Sequence, residues 1–124
     1  MPQKSILSLG QCGYDDSRLA QLAAAAGANL SRASTPADAH RRIAASPPDL
    51  ILINRIFDDT GDSGVDLVAT LRPTGIPLML VSDYADAQAA ALANGALAGF
   101  GKSQLQDPAT LEKICQALAT ERPT

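Results

Sequence analysis

The chain has no tryptophan and only two phenylalanines and two tyrosines in 124 residues, so its core must be aliphatic, built from Leu, Ile, Val and Ala. Two cysteines, Cys12 and Cys115, are too few and too far apart for a metal-ligand pattern or a disulfide framework. The one histidine, His40, lies beside Arg41 and Arg42 and reads as a surface residue. No apolar run approaches the roughly 18 residues of a membrane span, and no signal-peptide pattern opens the chain; a cytoplasmic location is expected. Basic residues are also short: ten Lys and Arg against thirteen Asp and Glu, a net charge of −3. That excludes the basic stripe of a nucleic-acid binder.

What is present is a set of buried strands. Pro48-Asp49-Leu50-Ile51-Leu52-Ile53-Asn54 is an apolar run introduced by two prolines and closed by an asparagine. Such a run reads as a strand covered on both faces, which belongs to a parallel sheet flanked by helices. Ile76 to Val81 is a second of the same kind, with Met79 in its core. Ser5 to Leu9, Asn29 to Ser34 (a weak edge) and Ala96 to Gly101 are shorter candidates.

Helices alternate with these strands. Tyr14 to Ala26 carries Leu19, Leu22, Ala23 and Ala26 at helical spacing and stops at Gly27. Thr35-Pro36-Ala37-Asp38 predicts a capping-box start for a helix to Ala45. Ser63 and Asp66 cap a helix that buries Leu67, Val68 and Leu71. Asp83 and Asp86 read as a cap pair for the alanine-rich segment Ala85 to Ala93, closed by Asn94-Gly95. Asp107-Pro108 starts a last helix with Leu111, Ile114, Cys115 and Leu118 on the core face. Five strands alternating with five helices predict right-handed crossovers and one domain over residues 1–124, with its core at about 4–119. In such sheets ligands gather beyond the carboxyl ends of the strands, which makes Asn54 a privileged position.

Across almost its whole length the chain resembles the receiver domains of bacterial response regulators. Residues 48–54 resemble the strand that delivers the phospho-accepting aspartate, and Ser63-Gly64-Val65-Asp66-Leu67-Val68 the helix start that follows it. Ile76 to Ser82 resembles the strand that ends in the switch hydroxyl. Gly95-Ala96 with Phe100-Gly101-Lys102-Ser103 resembles the last strand and its phosphoryl-contacting lysine. The loop after Asn54 is about two residues longer than in the family. The resemblance implies a flavodoxin-like, doubly wound five-stranded parallel sheet, order 2-1-3-4-5, in a two-component phosphorelay signalling domain.

The residues of the chemistry depart from that pattern. The acidic metal pair falls on Gly10 and Gln11, and the nucleophile on Asn54. Mg²⁺ requires anionic oxygen ligands, and a neutral amide forms no acyl phosphate. Ser82 and Lys102 remain in place as switch hydroxyl and phosphoryl lysine, while the ring position falls on Gly99 with Phe100 one place later. No metal, cofactor or enzymatic activity is expected. Asp15, Asp58 and Asp59 are weak candidates for a displaced metal site; for Asp15, Asp16, Asp58, Asp59 and Asp62 the simpler reading is solvation, helix-dipole complementarity and turn chemistry. The resemblance implies a partner protein, or a second copy, docked on the face of the fourth helix, fifth strand and fifth helix.

Two alternatives use other residues. Cys12 and Arg18 have the spacing of a cysteine-phosphatase loop after a first strand, with Asp107 as a general acid. Against this, Asp15 and Asp16 inside the loop would repel a phosphate dianion, and a buried thiol with a solvated arginine is the simpler reading. Gly10-Gln11-Cys12-Gly13 could also hold an anion in a flavodoxin-like ligand module, although glycines are expected at such a turn in any case.

Overall fold

A computed structural model describes residues 3–119. Its strands are β1 (Lys4–Leu9), β2 (Ala28–Ala33), β3 (Leu50–Asn54), β4 (Leu78–Val81) and β5 (Leu97–Phe100). Its helices are α1 (Gly13–Ala25), α2 (Pro36–Ala45), α3 (Gly64–Leu71), α4 (Ala85–Ala93) and α5 (Pro108–Ala119). All strand pairs are parallel and the order is β2-β1-β3-β4-β5. The doubly wound flavodoxin-like sheet is therefore present, with β2 at one edge as its weak pattern implied.

Strand alternation divides the core into two layers. Leu7, Leu9, Ile51, Ile53 and Leu80 pack with α2, α3 and α4 residues, Leu67, Val68 and Leu71 among them. Ile6, Leu50, Leu52, Met79, Val81 and Phe100 face Leu19, Leu22, Ile114 and Leu118 of α1 and α5. Each fully buried Leu or Ile contributes about 1.5–3 kcal/mol, so an aliphatic core suffices without tryptophan. His40 is exposed and Met79 buried.

Local expectations differ in four places. Thr35 caps α2 by accepting from the Asp38 N–H, but the Asp38 carboxylate takes Arg41 and Arg42, so a cation pair replaces the reciprocal half of the capping box. Asp83 does not cap α4. Tyr84 occupies the cap position without a side-chain bond, and Asp83 instead accepts from the Ser103 N–H (3.2 Å) and hydroxyl (2.6 Å), joining the loops after β4 and β5. Cys115 is exposed rather than core, because the buried stripe of α5 runs through Thr110, Ile114, Ala117 and Leu118. Asp15 and Asp16 are buried, 7% and 6% exposed, not solvated.

Candidate functional site

The carboxyl ends of β1, β3, β4 and β5 converge as the topology requires. Asn54 ends β3 in an almost closed position, 8% exposed. Its side-chain N–H donates to the Gly10 carbonyl at 3.0 Å, and the Asp58 N–H reaches the same oxygen at 2.9 Å. The chain just after Asn54 is held by the start of α3: the Gly64 N–H donates to the Arg55 carbonyl at 2.8 Å, and a Cβ at Gly64 would collide with the Asn54 carbonyl.

Gly10 answers two constraints. Its φ of +75° favours glycine, and a Cβ there would lie 2.6–2.9 Å from the Phe57 ring. Phe57 is carried in by the long loop after β3, which closes through the Ile56–Ser63 bridge and the Phe57 N–H to Asp62 carbonyl bond at 2.9 Å. An aromatic ring thus occupies the space beside Gly10. Gln11 is buried, and its side-chain amide has no protein partner.

Two acids one turn further on take up the polar contacts. Asp15 Oδ2 lies 2.9 Å from Lys102 Nζ. Burial pushes its carboxyl up, but hydrogen bonds from Lys102 and Cys12 and the charges of Lys102 and Arg18 outweigh it and leave it below the ordinary value. Asp16 accepts from the Ser8 hydroxyl at 2.6 Å and pairs with Arg32 at 3.1 Å. Burial dominates there, Asp15 adds repulsion, and the carboxyl is raised despite Ser8 and Arg32. Their solvated reading fails because Ser8 points to the α1 face, where a buried hydroxyl requires a partner. Asp58 and Asp59 are exposed in the loop, and among the described residues no three His, Cys, Asp or Glu side chains are grouped to hold a metal ion.

The cysteine and arginine of the phosphatase-like spacing are not brought together as a cradle. Cys12 caps α1, its Sγ accepting from the Asp15 N–H at 3.4 Å, while Arg18 donates to the Lys102 carbonyl at 3.3 Å and lies over the Tyr14 ring. Gly10-Gln11-Cys12-Gly13 turns the chain from β1 into α1, with the Gly10 carbonyl already occupied.

The two residues named for the ring position sit on opposite faces of β5. The Phe100 ring points into the α1/α5 layer, 2% exposed, and Gly99 faces α4. The space at Gly99 is taken by Gln88 of α4, whose Nε2 lies 3.0 Å from the Leu80 carbonyl, 2.9 Å from that of Ser82 and 3.3 Å from that of Phe100. Two N–H bonds serve three acceptors, so one contact is shared. A register shift between Met79 and Val81 interrupts the β4–β5 ladder at Leu80, and the Gln88 amide supplies the donor there.

What remains open is a cleft of about 280 Å³ lined by Asn54, Arg55, Ile56, Val81, Ser82, Asp83, Tyr84 and Lys102. Ser82 Oγ accepts from the Tyr84 N–H at 3.1 Å, and the Arg55 guanidinium stacks over the Tyr84 ring, 4.5 Å from its centroid. Asn54, Ser82 and Lys102 therefore share one cleft. Gly10, Gln11, Gly99 and Phe100 do not line it. Phe57, Gln88, Arg55 and Tyr84 escaped the sequence reading; the one legible signal was Phe57, a rare ring at the head of an over-long loop.

Several solved structures share this arrangement of strands and helices. The signal receiver domain of an HD domain-containing protein from Pseudomonas fluorescens Pf-5 superposes with a TM-score of 0.80 at 21% identity, over 95% of this chain and 88% of that one. A response regulator from Thermotoga maritima gives 0.80 at 14% identity, over 96% and 100%. The fold is that of a response-regulator receiver domain. A third receiver-fold protein, a Burkholderia pseudomallei response regulator solved with a phosphorylated aspartic acid, calcium ion and citrate, gives 0.72 at 22% identity, over 94% and 67%. No family model matches the sequence, and no curated protein matches it.

Proposed function

We propose that this chain is a degenerate receiver of two-component signalling, a binding module rather than an enzyme, that accepts no phosphoryl group and acts through protein–protein contact. The observation that carries the reading is the Asn54 amide bonded to the Gly10 carbonyl beneath the Phe57 ring. A receiver's chemistry needs a carboxylate nucleophile and oxygen anions for a divalent ion. Here the nucleophile position donates a hydrogen bond, and a ring and a buried amide stand where acids would. Lys102 meets Asp15 instead of a phosphoryl group.

The contact surface in this reading is the face of α4, β5 and α5. Leu92 is 49% and Leu97 43% exposed, beside the exposed Ala85, Ala89, Ala90 and Ala93. Short side chains lose little conformational freedom on docking, and the two leucines supply apolar area. Gln88 ties α4 to β4 and β5, so the face is held in one arrangement. Magnesium titration of the ¹⁵N-labelled protein tests the reading: the Gly10, Gln11 and Asn54 amide resonances stay in place, and saturable shifts at all three would refute it.

A further inference from the structure

We infer that the cleft beside Asn54 is a recognition pocket for a carboxylate side chain, Asp or Glu, presented by a partner protein. The charges around it are mostly committed. Lys102 is paired with Asp15, and Asp83 accepts two bonds from Ser103. Arg55 lines the cleft with no ion-pair partner among the described residues; the Tyr84 ring beneath it holds the guanidinium in place without neutralising it. Ser82 accepts from the Tyr84 N–H, which leaves its hydroxyl proton to donate. The N-terminus of α4, which has no side-chain cap, follows Tyr84 on the cleft wall and carries Asp86 in its first turn.

Arg55 has no ion-pair partner among the described residues while Asp83 keeps its own negative charge on the wall, so one guanidinium with a free hydroxyl fits a monoanion rather than a dianion. The guanidinium fork suits a planar carboxylate, and a phosphate dianion would leave a charge unmatched beside Asp83. The space, about 280 Å³, is larger than a bare anion needs and suits one side chain. Its rim is Ile56, 38% exposed, and Tyr84, 63% exposed, stacked with Arg55. Tyrosine and arginine are the residue types that dominate the energetics of protein interfaces.

The inference rests on the cleft being free of phosphotransfer, and the two fail separately. A mass gain with acetyl phosphate removes that reading, whereas an unchanged mass with no carboxylate response removes this inference alone. The test titrates the ¹⁵N-labelled protein, at constant ionic strength, with N-acetylglutamate amide, acetate and inorganic phosphate in turn. The capped glutamate shifts the Arg55, Ser82 and Tyr84 amides saturably and binds more tightly than the other two. Arg55→Gln weakens it about tenfold or more, as loss of a charged hydrogen-bond donor requires. Ser82→Ala also weakens it, and Arg41→Gln, an equal charge change on remote α2, leaves it unchanged. No saturable shift, an equal affinity in Arg55→Gln, or acetate or phosphate binding as tightly as the capped glutamate would overturn it.

Discussion

The side-chain amide of Asn54 donates to the backbone carbonyl of Gly10 at 3.0 Å, so the residue at the mouth of the central strand is bound to the turn that leads from β1 into α1. An aspartate there has no hydrogen to give and would set two oxygens face to face. Asn54→Asp is therefore expected to destabilise the protein at pH 7 by about 1–3 kcal/mol. The defect shrinks in acid, where the carboxyl protonates and can donate. Urea midpoints at pH 7 and pH 4 check this; a stability equal to wild type at both would show that the bond contributes nothing.

Gly10 and Phe57 are coupled through contact. Gly10→Ala meets both the left-handed backbone and the ring, and is expected to cost about 2 kcal/mol or more. Phe57→Ala leaves a cavity and costs about 3–5 kcal/mol. In the double variant the second change costs less than it does alone, because the collision has gone. Strict additivity in denaturant unfolding would count against the contact.

Gln88 connects α4 to three carbonyls of β4, β5 and the turn after β4. Removing it in Gln88→Ala is expected to cost about 1–2 kcal/mol and to speed amide exchange in α4 and around Leu80 and Ser82, with α1 and α2 unaffected. Gln88→Glu is no rescue, since a carboxylate repels the same oxygens. Unchanged exchange in α4 would contradict the staple.

Asp15 has a lowered carboxyl, so its contribution to stability is present above its unfolded value of 3.8 and is lost as pH falls through the folded value. Lys102→Met removes the partner that lowers it. The variant is expected to be less stable than wild type at pH 7, and the difference to shrink as pH falls below the ordinary aspartate value and Asp15 protonates in both. A stability difference that is the same at both pH values would place the Lys102 effect elsewhere.

Much of the fold was legible because its signals are local: apolar runs for β3 and β4, Thr35 and Ser63 as caps, Gly27 as a stop. Asp15 and Asp16 show where such signals end. Acids in a first helical turn normally face water, and only the register of β1, which turns Ser8 toward α1, and the arrival of Lys102 from β5 bury them. Asp83 leaves the cap position for the same reason, since its partner Ser103 lies 20 residues away across two strand ends. The departures from the receiver pattern at Gly10, Gln11 and Asn54 were readable one by one. What filled the space, Phe57 at Gly10 and Gln88 at Gly99, depends on how a loop and a helix fold over glycines and is written in no single motif.

The most direct test is the intact mass of the native protein after incubation with acetyl phosphate and Mg²⁺. The mass is expected to stay unchanged, because Asn54 offers no nucleophile and the turn at Gly10 and Gln11 no anionic ligands. The gain of one phosphoryl group, lost again in Asn54→Ala, would contradict the account at its centre.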